Sequence, residues 1–249
     1  MLNQKTYKII VAYDGTNYCG WQAQPHVVTI AGVLERRFSA VFKREIKLLG
    51  ASRTDAGVHA LAQVARFTTD LTLPNEQLKR AWNNALPADI VIRELVQVEN
   101  NFNPQHAVIQ KTYYYHFFQQ RPLPFVYRYG AYYKPHVDLE KLQECLSVFI
   151  GTHDFRSFCT GQDKENTTRT IHSITVCSFN RYKVYRITVK GPGFLRYMIR
   201  RIVGACLDTA SSPELTKEDL ITALAAKNPA QQFDTAPAQG LMLAKIDYK

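Results

Sequence analysis

The sequence predicts an α+β protein built from two related halves, residues 1–104 and 105–249, which meet along a cleft, the first half with the ferredoxin-like βαββαβ order. Strand-like and helix-like segments follow the order β-α-β-β-α-β over the first hundred residues, which is the order of the split βαβ unit. The second half repeats this mixture loosely, without a sequence repeat or a low-complexity linker. The 249 residues, of which 46% are hydrophobic, suffice for two small cores or one large core.

Six elements are expected in the first half. Four segments have strand composition: residues 7–12, 46–49, 61–67 and 90–98. Apolar residues at helical spacing follow a possible N-cap at Thr29, namely Val33, Leu34, Phe38, Val41 and Phe42. A second helix is expected to begin at Pro74 and to end before Pro87, because proline is tolerated in the first turn of a helix and breaks its interior.

The second half is expected to combine strands and helices in a similar way. Four segments read as strands: residues 113–118, 170–179, 182–190 and 241–248. Three segments have helical periodicity: residues 139–149, 194–206 and 220–225. If residues 194–206 are helical, Arg196 and Arg200 share one helix face at i, i+4.

The loop from Gly50 to Ala60, GASRTDAGVHA, is the first candidate for a functional site. It places one carboxylate and one guanidinium between two strand-like segments. Loops held by rigid strands often carry catalytic residues. An ordinary tight turn explains the same composition, with Asp55 bonded to its own backbone and Gly57 supplying a positive φ. Loop composition alone favours the turn.

Charge and aromatic content indicate a polyanionic partner. The formal net charge is +10; residues 1–100 hold 12 Lys/Arg against 9 Asp/Glu, and residues 101–249 hold 19 against 12. Arg196, Arg200 and Arg201 lie in the more basic part. Fourteen Tyr and thirteen Phe offer surfaces on which single-stranded or flipped bases could stack.

Other classes of protein find little support in the sequence. Five widely spaced cysteines without a Cys-x-x-Cys motif predict a reduced, cytosolic protein with buried thiols. The histidines have no metal-ligand spacing, so we expect no metal and no cofactor. No apolar run reaches 18 residues and no signal sequence is recognised, so no membrane association is expected.

The segment from Gly50 to His59 resembles the signature G-x-x-R-T-D-A-G-V-H of the tRNA pseudouridine synthase A family, almost letter for letter. Four further segments resemble the family in the same order: residues 13–22 (YDGTNYCGWQ, here called the N-terminal motif), 111–115 (KTYYY), 193–200 (GFLRYMIR) and 236–243 (APAQGLML). The resemblance therefore covers essentially the whole chain.

This resemblance implies a cofactor-free isomerase that converts uridine to pseudouridine in the anticodon stem-loop of tRNA, at positions 38, 39 and 40. It also implies a cytoplasmic homodimer with a basic central cleft where the sheets of two ferredoxin-like halves join. Two alternatives stay open. The chain could be a related synthase that modifies other uridines, or a non-catalytic RNA-binding module that kept the fold.

The resemblance also assigns roles to individual residues. Asp55 corresponds to the catalytic nucleophile, and Arg200 to the arginine that keeps it ionised in a partly dry pocket. Tyr113 corresponds to an active-site tyrosine that stacks on uracil and handles a proton. Arg53 is implied to contact the RNA near the flipped nucleotide, and Leu241 to contact the target base.

Two sequence features qualify these assignments. In a strand, Tyr113 and Tyr115 point to one face and Tyr114 to the other; Tyr114 and Tyr115 are expected to serve packing. Gln105 stands where the family usually has an arginine, so no site is predicted there.

Overall fold

The computed structural model of the protein describes residues 4–160 and 166–249. Within these residues the fold is mixed α+β, with five α-helices and mainly antiparallel strand pairing. The chain forms two compact units. The first unit runs up to Val108 and takes in Leu243–Lys249, and the second unit comprises Ile109–Met242. The predicted α+β class is confirmed, and the finer description as two ferredoxin-like halves stays a prediction.

The first unit has a central strand flanked on both sides. Its elements are β1 (Lys5–Tyr13), α1 (Ile30–Phe42), β2 (Leu49–Gly50), β3 (His59–Thr69), α2 (Asn75–Ala85) and β4 (Ile90–Val98). β1 pairs antiparallel with both β3 and β4, while the short β2 pairs with β3. Phe38, Phe67 and Trp82 fill its core, with their ring centroids 4.8–5.4 Å apart. The side chain of Thr29 accepts a hydrogen bond from the Gly32 N–H, so the predicted N-cap is confirmed.

The second unit is built around an antiparallel sheet of β5, β10 and β9. The remaining elements of the chain are β5 (Val108–Phe118), β6 (Ala131–Tyr132), α3 (Leu139–Ser147), β7 (Gly151–Asp154), β8 (Thr168–Ile171), β9 (Ser173–Phe179), β10 (Val184–Gly191), α4 (Met198–Ser211), α5 (Lys217–Ala226) and β11 (Leu241–Tyr248). β6 runs parallel to the end of β5, and β7 pairs with β8. From Leu243 onward β11 belongs to the first unit.

Helix α4 departs from the sequence prediction. It begins at Met198 rather than at Phe194, because Tyr197 adopts a left-handed conformation with φ of 62°. Arg196 therefore precedes the helix, and the expected i, i+4 pairing of Arg196 with Arg200 is wrong. The apolar face is placed as predicted, since Met198 and Ile199 are buried with the residues one turn later.

The cysteine prediction is partly wrong. All five thiols are free; Cys145, Cys159 and Cys206 are buried, whereas Cys19 and Cys177 are exposed. Among the described residues, no helix is long and apolar enough to cross a membrane.

Candidate active site

The loop that carries Asp55 joins β2 to β3 in the first unit. Asp55 is half-buried and Arg53 is exposed. The backbone N–H of Val58 donates to the carbonyl oxygen of Asp55 at 3.2 Å, which closes a turn around the carboxylate residue. The loop is thus a tight turn, as its composition suggested, and it presents an acidic and a basic side chain two residues apart.

The N-terminal motif clamps this loop from one side. The N–H of Trp21 donates to the carbonyl oxygen of Thr54 at 3.1 Å, and the N–H of Gly57 donates to that of Tyr18 at 3.2 Å. The hydroxyl groups of Tyr13 and Thr54 share a buried hydrogen bond of 2.8 Å. Residues on both sides of Asp55 are therefore fixed by partners outside the loop.

Two glycines of the N-terminal motif make this close approach possible. A Cβ atom on Gly15 would lie 2.0 Å from the carbonyl oxygen of Val58. Gly20 has φ of 84°, and a Cβ atom there would lie 2.5 Å from the carbonyl oxygen of Thr54. Any side chain at either position would push the motif away from the Asp55 loop.

Two glutamines that sequence reasoning left without a role hold the start of the loop. Gln63 accepts a hydrogen bond from the N–H of Ser52 at 3.2 Å and donates to its carbonyl oxygen at 2.6 Å. Gln105 donates through Nε2 to the carbonyl oxygen of Gly50 at 3.0 Å. Gln105, which replaces the usual arginine, thus supports the loop from within the first unit. No local sequence signal could have found this long-range contact.

Three consecutive tyrosines lie on β5 in the second unit. Tyr113 and Tyr115 are buried, with Tyr113 edge-on to Phe194 at 5.4 Å between ring centroids. Tyr114 faces the other side of the sheet, where the guanidinium carbon of Arg186 lies 4.3 Å from its ring centroid. The strand alternation expected from the sequence is observed.

Arg200 is held in place by the segment that follows α5. Its Nε donates to the carbonyl oxygen of Ala236 at 2.8 Å, and the N–H of Ala236 donates to the carbonyl oxygen of Arg200 at 3.0 Å. Its guanidinium carbon lies 4.9 Å from the ring centroid of Tyr197. Burial raises the pKa of Tyr115, and the positive charge of Arg200 opposes that rise. Arg200 therefore acts electrostatically on the buried side of β5.

Leu241 is buried directly after the turn Ala238–Gly240. Two contacts connect this turn to β5. The Tyr115 hydroxyl donates to the carbonyl oxygen of Pro237 at 3.1 Å, and a Cβ atom on Gly240 would lie 2.5 Å from Cζ of Tyr115. Within the second unit, the segment that leads into Leu241 thus lies beside Tyr115 and Arg200.

Comparison with known proteins identifies the family. The family model described as tRNA pseudouridine synthase matches residues 9–105 and 146–249. The chain belongs to the tRNA pseudouridine synthase family. It is an enzyme that isomerises uridine to pseudouridine in tRNA, and the family and activity predicted from the sequence motifs are confirmed.

Curated relatives match over nearly the full chain. The tRNA pseudouridine synthase A of Thermodesulfovibrio yellowstonii is 40% identical and covers 97% of this chain and 98% of its own. That of Pseudothermotoga lettingae is 37% identical, over 98% of this chain and 100% of its own. A solved structure described as "Crystal structure of the archaeal box H/ACA sRNP Nop10-Cbf5 complex" is 14% identical, with a TM-score of 0.34, over 86% of this chain and 53% of that chain.

Arg201, which the sequence places in the more basic part of this synthase, is buried. Its Nη1 donates to the carbonyl oxygen of Cys159 at 2.7 Å, and its Nη2 donates to that of Pro229. Burial lowers the pKa of its guanidinium. Arg201 is a buried structural arginine, whereas Arg196 is exposed.

Lys111 is a residue of the synthase that sequence reasoning quoted but did not assign. It lies two residues before Tyr113 on β5, so both side chains start from the same face of the strand. Burial lowers the pKa of Lys111 to about 8. Among the described residues, no group of three or more His, Cys, Asp or Glu side chains could hold a metal ion.

Proposed function

We propose that this synthase modifies uridines 38, 39 and 40 in the anticodon stem-loop of tRNA, with Asp55 as the nucleophile. The clamped loop is the observation that carries the proposal. Backbone and hydroxyl contacts from the N-terminal motif fix the residues around Asp55, as a preorganised nucleophile requires.

The reaction needs few groups. The bond between C1′ of ribose and N1 of uracil breaks, the base rotates, and a bond from C1′ to C5 forms. The proton leaves C5 and N1 gains one, so the reaction is an isomerisation without an external reactant. Asp55 begins the reaction in one of two ways. It attacks C1′, which breaks the bond to N1, and C5 later displaces the carboxylate from C1′; or it adds to C6 of the ring, and the bond from C6 to the carboxylate oxygen breaks again after C5 is attached.

The other residues would serve this chemistry in separate ways. Arg200 keeps the nucleophile ionised, because a nearby guanidinium offsets the rise in pKa that desolvation causes. Tyr113 supports the uracil ring and moves a proton. Leu241 contacts the base and excludes water, and Arg53 contacts the RNA from the exposed side of its loop.

The finer architecture belongs to the same proposal: two ferredoxin-like halves, a basic central cleft and a cytoplasmic homodimer that binds tRNA. In the first unit, the strands lie in the order β4, β1, β3 and β2, and the elements follow one another along the chain as βαββαβ. Both observations support a ferredoxin-like description of residues 1–104.

Mapping of pseudouridine in tRNA tests the substrate. We expect purified protein to convert uridines 38–40 of unmodified tRNA transcripts, and tRNA from cells that lack the protein to lose pseudouridine there alone. Conversion confined to other positions would favour a related synthase with a different target. Tight tRNA binding without any conversion would favour a non-catalytic RNA-binding module.

A further inference from the structure

An exposed aromatic segment lies outside the residues assigned above. Residues 119–137, which follow β5 and are here called the aromatic loop, contain no Asp or Glu. Its cations are Arg121, Arg128 and Lys134, and its aromatic residues are Phe125, Tyr127, Tyr129, Tyr132 and Tyr133. The side chain of Phe125 is 87% exposed and that of Leu123 is 68% exposed. Tyr127, Tyr129 and Tyr132 of the same segment are exposed as well, and a cluster of exposed apolar side chains often marks a binding surface.

The aromatic loop has a defined conformation. The N–H groups of Val126 and Tyr127 both donate to the carbonyl oxygen of Leu123, at 3.1 and 3.2 Å. Residues Tyr127–Tyr129 form a 3₁₀ turn. After the turn, the hydroxyl of Tyr133 is hydrogen-bonded to Asp208 on α4 at 3.1 Å. The exposed rings are thus presented by a segment that is fixed at its base.

The side chain of Gln239 makes one connection, within the second unit, between the aromatic loop and the candidate active site. Gln239 donates through Nε2 to the carbonyl oxygens of Tyr127 and Gly130, at 3.4 and 3.2 Å. Gln239 belongs to the turn that leads directly into Leu241. The exposed rings therefore lie next to the segment proposed to contact the target base.

We propose that the aromatic loop binds unpaired nucleotides that flank the target uridine, with bases stacked on Phe125 and Tyr127. Exposed aromatic rings next to cations bind single-stranded RNA because every base has a π-face and every nucleotide a phosphate. This inference rests on the proposed function only for the identity of the RNA, a stem-loop with unpaired nucleotides.

The charge of the loop disfavours a second copy of the chain as its occupant. A two-fold contact would place the same patch on both sides of the interface. Arg121, Arg128 and Lys134 would then approach their own copies, and the loop offers no carboxylate to compensate them. A polyanion meets the same surface with complementary charge.

Substitutions at Phe125 test the proposal without disturbing the core. Phe125→Ala and Phe125→Leu should each weaken binding of the isolated stem-loop RNA by about tenfold or more, as loss of one stacked base does. Phe125→Trp should bind like wild type, because it keeps a stacking face. A blunt, fully paired RNA duplex with the same number of nucleotides should bind all four proteins equally. Fluorescence anisotropy at constant salt measures each affinity.

Tyr182 provides a matched control in the same unit. It is 62% exposed, with the Arg181 guanidinium carbon 5.6 Å from its ring centroid, but it lies in the connection between β9 and β10. Tyr182→Ala should therefore leave binding unchanged.

Three results would overturn the proposal. The first is that Phe125→Ala binds the stem-loop RNA with wild-type affinity, and the second is that Phe125→Leu does so. The third is that the variants lose binding because their mass in sedimentation changes, which would show that Phe125 contacts a second copy of the chain. Because binding is read independently of conversion, wild-type protein that binds the stem-loop but modifies no uridine in it would refute the proposed function and leave this test intact.

Discussion

At the scale of single residues, Asp55 is expected to serve chemistry and not folding. Backbone groups, the Thr54 hydroxyl and the side chains of Gln63 and Gln105 make the hydrogen bonds described above for this loop, and the isosteric change Asp55→Asn removes none of these groups. We expect this variant to release no tritium from tRNA labelled at C5 of uridine. Its affinity for tRNA should stay within about tenfold of wild type, or ~1.4 kcal/mol.

Asp70→Asn is the control for this experiment. Asp70 is a carboxylate of the first unit whose partner is the exposed Arg44, at 3.0 Å, so its removal should leave turnover unchanged. Measurable tritium release by verified Asp55→Asn protein would remove Asp55 from the mechanism.

Tyr113 and Tyr114 allow a test of the strand register. Tyr113→Phe keeps the ring and removes the hydroxyl, so the rate should fall by about 10²–10⁴ if that group acts in acid–base catalysis. Binding of tRNA should be nearly intact. Tyr114 lies against Arg186 on the opposite face, so Tyr114→Phe should resemble wild type in single-turnover assays. The reverse pattern would move the site to the other face of β5.

Neighbouring arginines illustrate what the sequence could not predict at this scale. Motif comparison singled out Arg200, whose role in the active site stays a prediction, and the net charge counted Arg201 together with it. The guanidinium of Arg201 is buried and donates hydrogen bonds to the carbonyl oxygens of Cys159 and Pro229. Those partners are distant in sequence, so no local pattern reveals them.

At the scale of elements, local patterns predicted most helices and strands but misplaced the start of α4. Apolar spacing continues without a break from Leu195 into the helix. The interruption is a left-handed conformation at Tyr197, which is uncommon for residues other than glycine and which the apolar spacing does not indicate. The motif of residues 193–200 can be recognised from its amino-acid sequence, but the sequence does not show the backbone conformation that it adopts.

The contact between α4 and the segment before Leu241 should be sensitive to volume. A Cβ atom on Gly204 would lie 2.0 Å from the carbonyl oxygen of Asp234, so Gly204→Ala must shift the segment against which Arg200 is held. We expect a loss of about 1–3 kcal/mol in the free energy of unfolding, and a lower turnover rate. Urea denaturation and single-turnover kinetics measure the two effects.

Gly193→Ala is the matched control, since a Cβ atom on Gly193 meets nothing within 4 Å. This variant should unfold and turn over like wild type. If Gly204→Ala were equally neutral, the contact between α4 and residue 234 would not position Arg200.

At the scale of the whole molecule, composition predicted the kind of partner, and local patterns predicted the helices and strands. Neither predicted which unit each strand belongs to. Residues 241–248 were expected to form a strand, and they form β11. From Leu243 onward this strand belongs to the first unit, although it is the last in the chain. The alternation of apolar and polar residues predicts that a segment forms a strand and which face is buried. It does not identify the strand, distant in sequence, with which the segment pairs.

The net charge of +10 leads to a prediction for the whole molecule. Affinity for tRNA should fall as salt rises, with a log–log slope of about −0.7 to −0.9 for each phosphate contact, because Lys and Arg side chains of the protein displace counterions from the RNA. Arg53→Gln should reduce the magnitude of the slope by about one if the exposed Arg53 meets a phosphate. Arg44→Gln should not change it, because Asp70 already neutralises Arg44. Affinity that is constant between low and physiological salt would show that charge does not drive binding. An Arg53→Gln slope equal to wild type would place that side chain away from the RNA backbone.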